Sequence, residues 1–342
     1  MLRRNLFAST LALGSFICLA SPSFAEAPES AAEKAELTKA KSEIQLKQYA
    51  AALKILKPLA ETQNSRSAEY HLGLMYMNGE GVPKDIKKGI AFFEKAADQG
   101  GKHAAYNLGI INAEGLGVPQ DFSKAFKYFK AAADDGLADA QYDVALLYLS
   151  GQGVTEDKTE AAKYFDLAAK QGHANAQYNL ALLDLNSKTP GDKEKAFALL
   201  QKLANNNDVD AQNVLGLMYL RGDGVKKDPK QAANLITKAA NGECLEGEYD
   251  LGVMYHKGEG VPKNEKLSQS WLRKAADGGY ADAEYNIGLL YERGKDLPKN
   301  EVLAKQWFKK AADQGDTEAK QKLAQVEKKD QKDAKQQTDS TK

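Results

Sequence analysis

The four histidines are the side chains of this sequence best suited to metal binding or general-base chemistry. They are His71, His103, His173 and His256, and no two of them stand at the i, i+4 spacing that would place both on one turn of a helix. A metal site would need further ligands from carboxylates that the sequence alone does not position. We therefore expect solvated or helix-capping histidines, and we predict neither a metal nor a cofactor.

Motifs for nucleophilic catalysis are missing from the chain. The sequence has no Ser-x-x-Lys, Lys-Thr-Gly or Gly-x-Ser-x-Gly, and Lys188-Thr189-Pro190 is the nearest approach to any of them. Of the two cysteines, Cys18 lies in an apolar leader and Cys244 lies in the repeats. We therefore expect no disulfide between them in the mature chain. Cys244 reads as a spare thiol, so we predict that the protein is not an enzyme.

Pairs of glycines in the form Gly-x-Gly could be mistaken for phosphate-binding loops. A dinucleotide site needs a preceding strand and a third glycine, whereas each pair here follows a helical pattern, which favours turns. The pairs are Gly79/Gly81, Gly115/Gly117, Gly151/Gly153, Gly222/Gly224 and Gly258/Gly260.

These turns belong to a repeat of about 36 residues that organises the chain. Its anchor position is held by Tyr70, Tyr106, Tyr142, Tyr178, Asn213, Tyr249 and Tyr285, at steps of 36, 36, 36, 35, 36 and 36. A constant period of this size is typical of solenoids, whose units bury their apolar faces against their neighbours. The sequence therefore predicts an all-α fold of stacked helix pairs.

Each repeat contains two predicted helices, an A helix and a B helix. An alanine recurs at one position of the repeat, and a polar residue directly before it predicts the A-helix N-caps at Ser67, Asp139, Asn175, Asp210 and Asp282. An Asp or Asn predicts the B-helix N-caps at Asp85, Asp121, Asp157, Asp192, Asp228, Asn264 and Asn300. Small residues such as Gly73 and Gly109 in the A helix predict close approach of large B-helix residues such as Phe93 and Phe129.

The ends of the chain differ from the repeats. Residues 1–25 have two arginines, an apolar run and a Ser-Phe-Ala ending, which predicts a signal peptide cut after Ala25. We assign residues 26–66 to a spacer and a degenerate capping repeat, 67–315 to seven repeats, 316–326 to a capping helix and 327–342 to a disordered polar tail. An uncleaved membrane anchor is the alternative for the leader, but its apolar run is short for a bilayer span.

The Ala-x-Tyr-x-Leu-Gly-x-x-Tyr start, the Gly-x-Gly-Val-x-x-Asp turn and the Lys-Ala-Ala-x-x-Gly ending resemble the Sel-one-like repeat (SLR) family, which is related to tetratricopeptide repeats. The resemblance covers Ala68 to about Gly315. It implies a right-handed α/α superhelical solenoid of antiparallel helix pairs whose members mostly hold other proteins. Some exported bacterial members are cysteine-rich and bind β-lactams, but the paired cysteines of those relatives are missing here.

Stacking of the tetratricopeptide kind would point the residue after each anchor into a concave groove. Five of the seven residues at this position are Asn or Asp, namely Asn107, Asp143, Asn179, Asp250 and Asn286. Such side chains can pair with the backbone of an extended peptide. The alternative is that they only form hydrogen bonds between neighbouring helices.

The last turn of the A helix becomes basic along the chain. The same position holds Asn78, Glu114, Ser150 and Asn186 in the first four repeats, and then Arg221, Lys257 and Arg293. Three successive cations predict a positive surface for an acidic segment or a free C-terminus. The alternative is that they merely favour the negative pole of each helix.

Together these patterns predict an exported, monomeric, non-catalytic adaptor, periplasmic or secreted, that binds a protein or peptide. Lysine plus arginine equals aspartate plus glutamate at 47 each, which gives no reason to expect nucleic acid. We expect no membrane span after signal cleavage. The alternative function is a cell-envelope protein that binds or processes peptidoglycan or β-lactam, or regulates a peptidoglycan enzyme.

Overall fold

The computed structural model describes residues 30–294 and 297–340, with side chains described through residue 328. Across those residues the chain forms seventeen α-helices and no strand. It divides into two compact units, Met1–Leu180 and Ala181–Lys342. The predicted signal peptide, residues 1–25, lies outside the described residues.

The helices follow one another through short connections. In the first unit they are α1 (Ala31–Gln45), α2 (Tyr49–Thr62), α3 (Arg66–Asn78), α4 (Ile86–Asp98), α5 (Lys102–Glu114), α6 (Phe122–Asp134), α7 (Ala138–Ser150) and α8 (Lys158–Lys170). Helix α9 (Ala174–Leu185) contains the boundary between the units. In the second unit they are α10 (Asp192–Asn205), α11 (Val209–Arg221), α12 (Pro229–Asn241), α13 (Leu245–Lys257), α14 (Glu265–Asp277), α15 (Ala281–Arg293), α16 (Glu301–Asp313) and α17 (Thr317–Ser340).

Each repeat is one pair of consecutive helices, and in every repeat except the fourth, whose A helix contains the boundary between the units, the contacts show the two helices packing against each other. The A helices are α3, α5, α7, α9, α11, α13 and α15, and each is followed by its B helix. Within each unit, contacts run from one helix to the next along the chain, as in α5 with α6 and α12 with α13. The predicted all-α solenoid of helix pairs is confirmed.

In five repeats the core of the helix pair is a large side chain of the B helix against a glycine of the A helix. Phe93 and Phe129 are 1% and 0% exposed. A Cβ added to Gly73 would lie 2.6 Å from the Phe93 ring, and one added to Gly109 would lie 2.5 Å from the Phe129 ring. The predicted close approach of the two helices is therefore the reason for these glycines, since it offsets their cost in helix propensity.

Most predicted N-caps of the B helices are confirmed. In six repeats the Asp or Asn side chain accepts a hydrogen bond from a backbone amide of the first turn, at Asp85, Asp121, Asp157, Asp228, Asn264 and Asn300. The prediction was wrong for Asp192, which is already the first residue of α10. There Gly191 is the N-cap, at a φ of 88°, because the fourth repeat lacks the Gly-x-Gly turn.

The predicted N-caps of the A helices were two residues too late. Asp210 lies inside the first turn of α11, and Asp208 is the cap that accepts from the Ala211 amide. Likewise Ser65, rather than Ser67, caps α3. A residue with positive φ, such as Asn64 or Asn207, follows the end of the preceding helix. The residue directly after it is the cap, and the A helix begins one residue later.

The two glycines of each Gly-x-Gly pair have different functions, and both confirm the predicted turns. The first ends the A helix in the left-handed region, as Gly151 does at a φ of 66°. The second touches the start of the preceding B helix: a Cβ on Gly153 would lie 2.1 Å from the Phe122 carbonyl oxygen. This second contact fixes the turn of one repeat on the repeat before it.

The chain ends are more helical than predicted. Helices α1 and α2 form a complete pair, with Leu37 and Leu56 in a shared apolar cluster. At the other end, Ala319 is buried against the last repeat, and α17 then continues to Ser340 instead of ending near residue 326. The tail predicted to be disordered is rich in Lys and Gln, which have a high helix propensity. None of the helices in the described part of the chain is long and apolar enough to cross a membrane.

Candidate functional site

The Asn and Asp side chains that follow the anchor positions form hydrogen bonds between successive A helices. Asn213 Nδ2 donates to Asp250 Oδ2 at 2.9 Å, and Asn286 Nδ2 donates to the Tyr249 hydroxyl at 3.1 Å. The Tyr106 hydroxyl is bonded to Asp143 in the same way. In these three cases the structure has the arrangement that the sequence left as the alternative to peptide binding. Asn107 and Asn179, at the same repeat position, are 8% and 0% exposed.

Burial has a strong effect on the two aspartates of this series. It raises the pKa of Asp143 to about 7, with a further upward contribution from Asp139 and an opposing one from the Tyr106 bond. It also raises the pKa of Asp250 to about 6, against the stabilising effects of Asn213 and Arg221 on the carboxylate. Both aspartates therefore titrate close to neutral pH.

The three predicted cations end their helices and are exposed to solvent. Arg221, Lys257 and Arg293 are the last residues of α11, α13 and α15. Helices α3, α5 and α7 have no basic residue in their last turn. The helix dipole acts on every A helix alike, so it does not explain why the basic residues are confined to these later repeats.

Arg221 and Lys257 line one pocket together with Asp250. Its volume is about 400 Å³, and its lining residues are Leu217, Leu220, Arg221, Lys227, Asp250, Val253, Met254, Lys257 and Glu259. Three cations and two carboxylates thus surround the cavity, whose apolar residues come from α11 and α13. We call these nine residues the charged pocket. The lining has a net excess of one positive charge, so the pocket can bind an anionic group.

A second pocket occupies the same repeat position in the first unit but has different chemistry. Its volume is about 190 Å³, and it is lined by Leu74, Met77, Asn78, Lys84, Ile86, Phe93, Asn107, Ile110, Ile111 and Leu116. Asn78 stands where the charged pocket has Arg221, Asn107 where it has Asp250, and Leu116 where it has Glu259. The backbone repeat provides a cavity in both places, and the side chains decide what each cavity can bind.

Three of the histidines have contacts that explain them without a metal or a catalytic function. His173 caps α9 by accepting from the Ala176 amide at 3.1 Å, and the exposed His256 bonds to Glu265 at 2.7 Å. His71 is partly buried, and desolvation followed by repulsion from Lys41 lowers its pKa to about 4. His71 is therefore neutral at physiological pH and does not fit the expected solvated histidine.

Cys244 is the buried N-cap of α13 rather than the spare thiol that the sequence predicts. Its Sγ accepts from the Gly247 amide at 3.4 Å, and burial raises its pKa to about 12, helped by the nearby carboxylates of Asp210 and Glu246. These three residues bring possible metal-ligand atoms within 4.8 Å of one another. A thiol held in its protonated form is a poor nucleophile and a poor metal ligand, so the geometry favours the capping role.

Sequence reasoning found Arg221, Asp250 and Lys257 but missed Lys227 and Glu259. A signal for Lys227 was present, because a lysine directly precedes the B-helix cap in four repeats, at Lys84, Lys227, Lys263 and Lys299. Glu259 occupies the middle of a Gly-x-Gly turn, whose residues the sequence analysis treated only as a connection. Arg293, one repeat further along, is exposed at the end of α15.

The sequence matches the family model of the Sel1 repeat seven times, at residues 66–101, 102–137, 138–173, 174–208, 209–243, 245–280 and 281–316. Among solved structures, it is similar to c5321, a protective antigen of uropathogenic Escherichia coli strains displaying an SLR fold, with 31% identity and a TM-score of 0.68. That match covers 86% of this chain and only 64% of the antigen. A Sel1 repeat protein from Oxalobacter formigenes is 30% identical over 91% of this chain and 88% of its own, with a TM-score of 0.65. No curated protein matches the sequence.

Proposed function

Because the chain belongs to the Sel1 repeat family, whose fold is a scaffold suited to protein–protein interaction, we propose that it is a non-catalytic adaptor that binds an acidic protein or peptide segment. The charged pocket is the observation that carries this proposal. It combines Arg221, Lys227 and Lys257 around one cavity, in a chain whose total charge is balanced. A local excess of cations in a neutral protein is a basis for selective rather than general attraction of anions.

The bound group in this proposal is a carboxylate, either from an acidic side chain or from a free C-terminus. Arginine can hold a carboxylate through two parallel hydrogen bonds, and the lysines add charge without fixing one orientation. Arg293 extends the positive surface into the next repeat. We also keep Asn107, Asp143, Asn179 and Asn286 as proposed residues of the binding surface.

The first test measures binding of acidic peptides to the protein and to Arg221→Ala, Lys257→Ala, Arg293→Ala in combination. Calorimetry at low salt would use an N-acetylated tetra-aspartate peptide with a free C-terminus, and the same peptide amidated. We expect the triple variant to weaken binding by more than about tenfold and salt to weaken binding to the wild type, because both remove charge attraction. Circular dichroism should be unchanged.

A matched control removes three exposed lysines elsewhere in the same unit. Lys230→Ala, Lys238→Ala, Lys263→Ala loses the same total charge but none of the lining residues of the charged pocket. Equal loss of affinity in the two triple variants would mean that net charge, rather than this pocket, attracts the peptide. If the first triple variant keeps the wild-type affinity at low salt, the three cations are only solvent-exposed residues and do not bind the peptide.

We further propose that the protein is exported to the periplasm or secreted as a monomer after cleavage behind Ala25. N-terminal sequencing of the protein from the envelope and culture fractions would test the cleavage. Envelope-directed function would be tested with purified muropeptides in place of the acidic peptide. Turnover of muropeptides would contradict the adaptor proposal and favour the alternative of a peptidoglycan-processing protein.

A further inference from the structure

We infer that Asp250 links binding at the charged pocket to proton uptake, so that the pocket holds an anionic segment more tightly when Asp250 is protonated. This inference rests on the proposed function, because it concerns the same pocket. The basic residues alone would not make binding at this pocket depend on pH. Arginine and lysine keep their charges throughout the physiological pH range, whereas Asp250 can change its charge there.

Asp250 is the one member of the charged pocket that is also part of the cross-helix bond series. Its Oδ2 accepts from Asn213 Nδ2 at 2.9 Å, and its carboxylate lines the cavity beside Arg221 and Lys257. When it is ionised, its negative charge faces the space that a bound carboxylate would occupy. Repulsion between two carboxylates in a partly desolvated cavity opposes binding, and protonation of Asp250 removes that repulsion.

The groups around Asp250 come from three A helices and two turns. Arg221 on α11 favours its ionised form, whereas Glu246 on its own helix and Asp282 on α15 oppose it. The turns contribute Lys227 and Glu259, and Lys257 closes the pocket from the end of α13. Two tyrosines on this side, Tyr249 and Tyr280, have a raised pKa to which Asp250 contributes, so both stay neutral. Asp250, with a pKa of about 6, can therefore change its charge within the physiological pH range.

Asn213 can form a hydrogen bond with Asp250 whether Asp250 is ionised or protonated. It is 4% exposed, and its Oδ1 is buried without a hydrogen-bond partner, while its Nδ2 donates to Asp250. After protonation, the acid O–H of Asp250 can donate to the Asn213 amide oxygen once that amide turns over. A tyrosine occupies the anchor position in the six other repeats, so the Asn213–Asp250 pair is specific to the repeats that form the charged pocket.

The test measures the affinity of the N-acetylated tetra-aspartate peptide at pH 7.5 and pH 5.5, where its own side chains stay mostly ionised. If a bound carboxylate raises the pKa of Asp250 by one unit above about 6, the affinity should increase about sixfold between pH 7.5 and 5.5, which is ~1.1 kcal/mol at 1.4 kcal/mol per tenfold. Calorimetry in buffers of different ionisation enthalpy should show proton uptake on binding. Asp250→Asn should bind more tightly than the wild type at pH 7.5, with little further change at pH 5.5.

Two variants control for other ionisable side chains. His256→Asn removes the histidine that neighbours Lys257, and Asp143→Asn removes the equivalent, partly buried aspartate of the third repeat, which is not a lining residue of the charged pocket. Both should keep the pH dependence of the wild type. Asn stands at the Asp250 position in three other repeats, so Asp250→Asn is compatible with the fold.

The outcomes separate this inference from the proposal on which it rests. Peptide binding that does not change between the two pH values, or a change that persists in Asp250→Asn, would overturn the proton linkage and leave the acidic-segment adaptor intact. Binding that is weak at both pH values, and equally weak in the pocket triple variant, would overturn both.

Discussion

Replacing Asp143 with asparagine should stabilise the first unit at alkaline pH and have no such effect at acidic pH. Asp143 lies in α7, partly buried, and is bonded to Tyr106 of α5. Its pKa is about 7 in the folded chain against an ordinary value of 3.8. A carboxyl group with a raised pKa binds its proton more tightly in the folded chain than in the unfolded one. Its contribution to stability is complete below pH 3.8 and is lost as the pH rises through 7.

The size of the effect follows from that difference in pKa. At 1.36 kcal/mol per unit, ionising Asp143 at pH 8 costs the folded state at most about 4 kcal/mol. The side chain keeps some contact with solvent, which reduces the cost, so we expect Asp143→Asn to gain roughly 1–2 kcal/mol at pH 8. The asparagine oxygen can still accept from Tyr106, and asparagine already stands at this position in Asn107, Asn179 and Asn286.

Urea denaturation followed by circular dichroism at pH 8 and pH 4 is the assay. The exposed Asp135→Asn, in the same unit, is the control for the loss of one negative charge. A shift in the Asp143→Asn midpoint that is equal at the two pH values would show that the gain does not come from proton binding. No gain at pH 8 would refute the view that burial of this carboxylate carries a cost.

Three further predictions concern packing and reactivity. Gly153→Ala should lower the free energy of unfolding by more than ~2 kcal/mol, whereas Gly136→Ala, at a similar positive φ with open space around it, should cost only about 1 kcal/mol; similar losses would contradict the contact with Phe122. Leu215→Ala with Met218→Ala should increase hydrogen exchange mainly in the fifth repeat and its neighbours, since both side chains are nearly fully buried there, and a uniform increase over the array would indicate one cooperative block. Cys244 should react with a thiol reagent at pH 8 only after addition of denaturant, because its pKa of about 12 and its burial keep it protonated and shielded; rapid labelling of the folded protein would refute the buried cap.

The residues that set the local backbone were predictable from the sequence. The 36-residue period defined the helix pairs, because a repeated pattern needs no long-range information to be recognised. Asp85 and Asp121 were identifiable as caps since a cap acts on amides only two or three residues away. Gly73 opposite Phe93 was predictable for a related reason, as both belong to one repeat and the repeat is copied.

The placement of the A-helix caps and of Cys244 depended on details that the pattern does not show. Sequence reasoning placed the cap of α3 at Ser67, whereas Ser65 is the cap. Both serines can accept from a free amide, and only the backbone of the preceding turn decides between them. The sequence predicts a spare thiol at Cys244, yet its sulfur accepts a hydrogen bond from the Gly247 amide and caps α13.

Tertiary structure alone decided which polar residues share a pocket. The sequence placed Arg221 and Lys257 at one repeat position and Asp250 at another, and it gave no means of telling that Asp250 bonds to Asn213 while facing the two cations. It also could not show that the same cavity is apolar around Asn78 and charged around Arg221. The reason is physical: the repeat period sets which backbone positions are equivalent, but burial, hydrogen bonding and pKa arise between helices and depend on the side chains that packing brings within a few ångströms.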